Sequence, residues 1–191
     1  AILYDLANGG DKSWGDTPPY QARGRKAFDD ASPGAFRLGQ TGAGFGAQAG
    51  QFRGGLGSAS IVTNDGMSVG ALTAVNCFGS VFMPGTEAYW AWPYEIGGEF
   101  GGARPPSTYQ ADAEDWGPAK QNPQLGENTT IACIATDVAL TSGQAHRVAQ
   151  MALGGFARAI RPVFAPFDGD VVFVVSTAQT PLSGPEALSL A

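Results

Sequence analysis

The run Asn128-Thr129-Thr130-Ile131-Ala132-Cys133-Ile134-Ala135-Thr136-Asp137 decides how the rest of the chain is read. Its residues are small or β-branched and mostly apolar, so residues 129–137 are expected to form a buried strand. Thr141 or Ser142 then caps a helix over 142–160. Ala145, Val148, Ala149, Ala152, Phe156 and Ile160 recur there at helical spacing, and Pro162 ends the element. Asp168-Gly169-Asp170 turns the chain into the apolar run 171–176, which has the character of a central strand. Strand, helix and strand in this order predict an α/β fold.

The chain before Asn128 has a different texture. Of the 28 glycines, 23 lie in residues 1–128 and 5 in residues 129–191, and the glycines follow no three-residue period that would indicate collagen. Residues 1–6 read as a short apolar strand and residues 20–30 as a helix entered after Pro18-Pro19. Residues 58–63 and 67–75 read as two strands of a hairpin turning at Asn64-Asp65-Gly66. Residues 39–57 are Gly-rich, which marks backbones that pass closely or need positive φ. Residues 84–126 carry scattered prolines and read as a long surface connection. The opening Ala-Ile-Leu-Tyr-Asp-Leu has no Met and starts as a strand would, as expected of a fragment or a processed product.

Composition removes several function classes. The net charge is −6 with 11 Lys and Arg, which leaves no basic stripe for a phosphate backbone and argues against nucleic acid as a partner. No apolar run of about 18 residues is present to span a membrane, and no signal peptide is visible. Cys77 and Cys133 are too few for a disulfide framework and lack metal-ligand spacing, so they are read as buried thiols of a reducing, cytoplasmic compartment. One histidine, His146, lies off the apolar stripe of its helix and is read as solvated. No metal and no cofactor is expected. The pattern Gly42-x-Gly44-x-x-Ala47 has neither the strand before it nor the helix after it that a dinucleotide fingerprint requires. Asn128-Thr129-Thr130 fits a glycosylation pattern, which is discounted without a secretory signal.

If the chain is a hydrolase, its base is not expected to be His146. A Thr that opens a buried strand after a flexible segment has two readings. One is plain β-propensity. The other is an N-terminal nucleophile: if the chain is cut before Thr129, the new α-amine, titrating at about 7.7–8.0, can take the proton of the Thr hydroxyl. Asp168 and Asp170 are either solvated turn carboxylates or groups that orient such an amine and hydroxyl. Asn76, at the end of its predicted strand, is either a strand terminator or an amide donor to an oxyanion.

Taken together, the run 128–137, Arg158-Ala159-Ile160-Arg161-Pro162 and Phe167-Asp168-Gly169-Asp170-Val171-Val172-Phe173 resemble the self-processing peptidase S58 (DmpA-like) family of N-terminal nucleophile hydrolases. Phe52-Arg53-Gly54-Gly55-Leu56-Gly57-Ser58-Ala59-Ser60 and Val69-Gly70-Ala71-Leu72-Thr73-Ala74-Val75-Asn76 resemble its α-subunit. Within the family the chain is most similar to the nylon-oligomer (6-aminohexanoate oligomer) endo-hydrolases. The resemblance implies an αββα sandwich and autocleavage between Asn128 and Thr129. Thr129 would be the nucleophile, Asn76 an oxyanion donor, and Asp168 and Asp170 supports for Thr129. It also implies that 1–128 is the C-terminal part of an α-subunit whose beginning is absent, that 129–191 is the β-subunit, and that the two form part of one domain. Arg53 stands where the family usually has a lysine; arginine keeps the charge but cannot shuttle a proton.

The expected substrate is a small oligoamide or peptide, with 6-aminohexanoate oligomers first. An aminopeptidase for β-, D- or short L-peptides is the alternative within the enzyme class, and a non-catalytic Gly-rich oligomeric binding module the alternative outside it. The partners expected are the protein's own other subunit after cleavage and further copies of itself, a homo-oligomer that is a tetramer by family analogy.

Overall fold

The computed structural model describes residues 13–121, 127–182 and 184. The strand read at 1–6 lies outside them. Helix α1 (Tyr20–Asp29) has every residue exposed. Short strands β1 (Gln48–Ala49) and β2 (Phe52–Arg53) form a two-stranded ribbon. The main sheet has the order β3 (Gly55–Val62), β4 (Ser68–Asn76), β5 (Thr129–Val138), β6 (Val171–Thr180). Helix α2 (Ser142–Ala159) links the last two.

Strands β3 and β4 form the expected hairpin, longer than read on the β3 side because Gly55–Gly57 also pair, while Asn76 at the end of β4 pairs with Thr129 of β5. Pairing β4 with β5 antiparallel sets Asn76 opposite Thr129. Strand β6 runs parallel to β5, with Ile131 beside Val171. A parallel neighbour needs a crossover, and α2 supplies it. The helix starts at a capping box: Thr141 accepts the Gln144 N–H at 3.3 Å while Gln144 Oε1 accepts the Thr141 N–H at 2.8 Å. Val148 and Phe156 are its buried residues, and His146 is exposed as read.

The two faces of the sheet are unlike. On one, α2 lies over Ala71, Thr73, Thr130, Ala132 and Ile134, leaving a cavity of about 370 Å³ among small side chains. On the other, Leu72, Cys133 and Phe173 stand in one row across three strands, and Leu72, Phe173 and Val175 are 38%, 57% and 50% exposed. Side chains alternate along a strand. Thr130 faces α2, so Thr129 faces the other way. The described residues thus supply one sheet layer and one helix layer of an α/β fold.

The Gly-rich stretch behaves as expected. A Cβ on Gly54 would fall well inside contact distance of the Val75 carbonyl oxygen, and one on Gly50 (φ +60°) would strike the Pro118 carbonyl. These contacts bring β1, β2 and the end of the long connection against the end of β4. Cys77, just past β4, is 1% exposed and packs with Ala49 and Ile160, whereas Cys133 is only half-buried because it sits on the open face. Gly54→Ala is expected to cost about 1–3 kcal/mol through overpacking. That is a fall of roughly 2–4 °C per kcal/mol in a thermal melt; an unchanged midpoint would contradict the close approach.

Candidate active site

The end of β5 meets the turn before β6 at one peptide. Asn128 and Asp168 form a parallel bridge. Through it the Gly169 N–H donates to the Asn128 carbonyl oxygen at 2.9 Å. The Thr129 hydroxyl donates to the same oxygen at 2.5 Å. Two donors therefore polarise the carbonyl of the Asn128–Thr129 peptide, one of them the hydroxyl that the resemblance implies is a nucleophile. Asn128 and Thr129 are each 1% exposed, so neither donor competes with bulk water.

Gly169 had drawn no attention in the sequence beyond its place between two carboxylates. It acts through its backbone, and it has to be small. A Cβ there would lie 3.0 Å from Thr129 Oγ1 and 3.6 Å from the Asn128 oxygen. The flanking carboxylates turn away to other backbone donors. Asp168 accepts the N–H groups of Phe78 and Ala165, both at 3.1 Å, and Asp170 accepts the Thr130 N–H at 2.6 Å. Burial pushes both carboxyls up; the Phe78 and Ala165 N–H groups and then the Lys120 charge oppose this at Asp168, and the Thr130 N–H opposes it at Asp170. Their ties to β5 and to the segment after β4 fix the turn that carries Gly169.

Asn76 is fully buried across the strand pair from Thr129. Its Oδ1 accepts the Gln48 N–H at 2.9 Å, which orients the amide so that Nδ2 donates to the Glu127 carbonyl at 3.0 Å. In the uncut chain the amide thus serves the carbonyl one residue before the polarised peptide.

Arg53 is not brought into this network. It lies on β2 opposite Gln48, exposed, and its side chain makes no hydrogen bond or ion pair among the described residues. The cation at the junction is Lys120, from the long connection. Its Nζ donates to Asn128 Oδ1 at 2.8 Å and to Asn76 Oδ1 at 3.2 Å. Lys120 was missed because it sits among prolines and polar residues with no periodicity, and only folding carries it to Asn128. Cys77 lies nearby, its Sγ on the Gly79 carbonyl at 3.1 Å. Burial, assisted by Asp168, raises its thiol to about 12, so it is a protonated core thiol. Among the described residues no group of three or more His, Cys, Asp or Glu side chains is placed to hold a metal, and no helix is long and apolar enough to cross a membrane.

Two outcomes follow from this geometry. Gly169→Ala is expected to fold, but to misplace the Thr129 hydroxyl and slow any reaction at the Asn128 carbonyl by on the order of tenfold or more; an unaffected rate would remove Gly169 from the site. Iodoacetamide is expected to modify Cys77 only after denaturation, as read by peptide mass mapping; rapid labelling of the folded protein would contradict its burial.

Comparison with known proteins bears on the family and the fold. The model of peptidase family S58 matches residues 1–190. An uncharacterized aminopeptidase of Mycobacterium tuberculosis (strain ATCC 25618 / H37Rv) is 37% identical over 202 residues, covering 99% of this chain and 54% of that protein. A 6-aminohexanoate-oligomer endohydrolase of Paenarthrobacter ureafaciens is 28% identical over 191 residues, covering 95% of this chain and 50% of that protein. This chain therefore spans about half the length of the curated relatives it matches. Among solved structures, a beta-aminopeptidase of Burkholderia sp. superposes with a TM-score of 0.55 at 26% identity, covering 81% of this chain and 36% of that one. The L-aminopeptidase D-Ala-esterase/amidase of Ochrobactrum anthropi, described as a variant of the Ntn-hydrolase fold, superposes with a TM-score of 0.53 at 24% identity, covering 80% of this chain and 36% of that one. The fold is that of the Ntn hydrolases, and the chain belongs to peptidase family S58.

Proposed function

We propose that this protein is a self-processing amide hydrolase whose nucleophile is Thr129. The observation that carries the reading is the pair of donors, Thr129 Oγ1 and Gly169 N–H, on the one Asn128 carbonyl oxygen. In the first reaction Thr129 Oγ adds to that carbonyl. The Asn128–Thr129 C–N bond breaks, an ester to Thr129 Oγ forms, and the hydroxyl proton ends on the freed α-amine. Water then hydrolyses the ester and releases residues 1–128 from 129–191. The pairing of β4 with β5 keeps the two pieces together, with Asn76 still facing Thr129.

The product has its own base. The α-amine of Thr129 takes the hydroxyl proton as Oγ attacks a substrate amide and gives it to the leaving amine. The Gly169 N–H stays in place as an oxyanion donor, and Asn76 Nδ2 becomes available once Glu127 departs. Water releases the acid in the second half of the cycle. Asp168 and Asp170 hold the turn in register.

The substrate proposed is a short linear oligoamide or peptide, 6-aminohexanoate oligomers included. Support for those oligomers comes from relatives at 28% identity, while relatives named aminopeptidases stand at 37%. An aminopeptidase is accordingly the second reading.

Mass spectrometry of the purified protein tests the proposal. Two fragments are expected, the second beginning at Thr129, and Thr129→Ala is expected to remain whole and inactive. An uncut but active chain, or normal cutting of Thr129→Ala, would sink the mechanism. An uncut and inactive wild type would favour a binding module that keeps only the fold.

A further inference from the structure

The same hydroxyl and the same Gly169 N–H must act on Asn128 first and on an external substrate afterwards. The substrate's carbonyl therefore overlays that of Asn128, and its acyl chain can follow the path of the Asn128 side chain. Asn128 is 1% exposed, so the space its side chain fills in the uncut chain is enclosed, and we call it the pocket. What lines the pocket is uneven. Lys120 Nζ donates to Asn128 Oδ1 at 2.8 Å, while Asn128 Nδ2 is buried with no hydrogen-bond partner. A lysine ammonium can only donate, so the amide orientation is not ambiguous. The pocket offers a donor and a positive charge to the acyl group, and no acceptor to its NH2.

Asp168 feels the Lys120 charge, but neither it, Asp170 nor Cys77 offers the pocket an acceptor. Asp168 is engaged by the Phe78 and Ala165 N–H groups and Asp170 by that of Thr130, and the Cys77 thiol is neutral. The pocket also outlasts the cut. Lys120 is anchored by its own N–H on the Phe78 carbonyl at 3.0 Å. Its neighbours are held by Gln51, whose backbone N–H meets the Pro118 carbonyl at 2.8 Å and whose Nε2 meets the Ala119 carbonyl at 3.1 Å. None of these backbone contacts involves Glu127 or Asn128, and Nζ keeps its bond to Asn76 Oδ1 when they leave.

Resting on the reading of Thr129 as nucleophile, we propose that Lys120 is a specificity-determining residue that selects acyl groups bearing a carboxylate where Asn128 bears its side-chain amide. That position is the third carbon beyond the scissile carbonyl, as in a succinyl or aspartyl group. A carboxylate accepts from Lys120 and has no orphaned donor, so it fits better than the amide that occupies the pocket before cleavage. An ammonium at the same position has like charge and no acceptor, so acyl groups with a free amine there are rejected. The site is thereby turned away from β-amino acyl groups and towards acidic ones.

Three p-nitroanilides with a common leaving group test this on the processed full-length protein. Succinyl places a carboxylate at the position, butyryl a methyl group and β-alanyl an ammonium. Wild type is expected to rank kcat/KM as succinyl, butyryl, β-alanyl, with about tenfold or more between first and last. Lys120→Met is expected to bring succinyl down to the butyryl rate, Lys120→Glu to reverse the order, and Lys120→Arg to keep it. Wild type that hydrolyses β-alanyl as well as succinyl, or none of the three, overturns the proposal. So does an unchanged ratio in Lys120→Met; if that variant fails to fold or mature, the wild-type ranking and Lys120→Arg decide. A protein that is never cut at Thr129 overturns the underlying mechanism instead, whereas a cut and active enzyme with no such preference overturns only the role of Lys120.

Discussion

The backbone hydrogen bond from Gly169 to the Asn128 carbonyl joins everything that gives this site its form. It exists because β6 lies parallel to β5, so that the turn entering β6 runs alongside the residue preceding β5. A parallel neighbour requires a helix between the two strands, and the helix requires its cap, its buried Val148 and Phe156, and its stop before Pro162. The other side of the junction depends on the antiparallel pairing of β4, which delivers Asn76 to the face of Thr129. The chemistry therefore stands on sheet register: a slip by one residue would turn Thr129 towards α2 and Thr130 towards Asn76.

Much of this was legible in the sequence because it follows from local pattern. Apolar and β-branched runs marked β3 to β6, Asn64-Asp65-Gly66 marked the hairpin, and the spacing from Ala145 to Ile160 marked α2. Asn76, Thr129, Asp168 and Asp170 could be proposed because their side chains have chemistry to notice and stand at strand ends. The αββα sandwich and the division at Asn128 came from resemblance. Periodicity carries neither, and the described residues contain one of the two sheets that such a sandwich has.

Two residues of the candidate site were not legible for physical reasons. Gly169 contributes a backbone N–H, which every residue but proline has, and its distinguishing property is the absence of a Cβ beside Thr129. Lys120 is carried to Asn128 by a connection without periodicity, held by the Phe78 carbonyl and Gln51. Arg53 was singled out because it lies in a motif, whereas Lys120 lies in none. In the fold its strand reaches Asn76 through Gln48, the residue paired with it, while the Arg53 side chain is exposed.

The turn Asp168-Gly169-Asp170 has a consequence for how the site can vary. Within three residues, one carboxylate grips the segment after β4, one grips β5, and the glycine between them reaches the carbonyl. These are three tasks on one short stretch of backbone with no hinge between them. Energies of substitution there will not add, because loosening either carboxylate also moves the N–H between them. Adaptation to a new substrate is therefore easier in the walls of the site, where side chains act one at a time, than in this turn, where a change is felt by all three contacts at once.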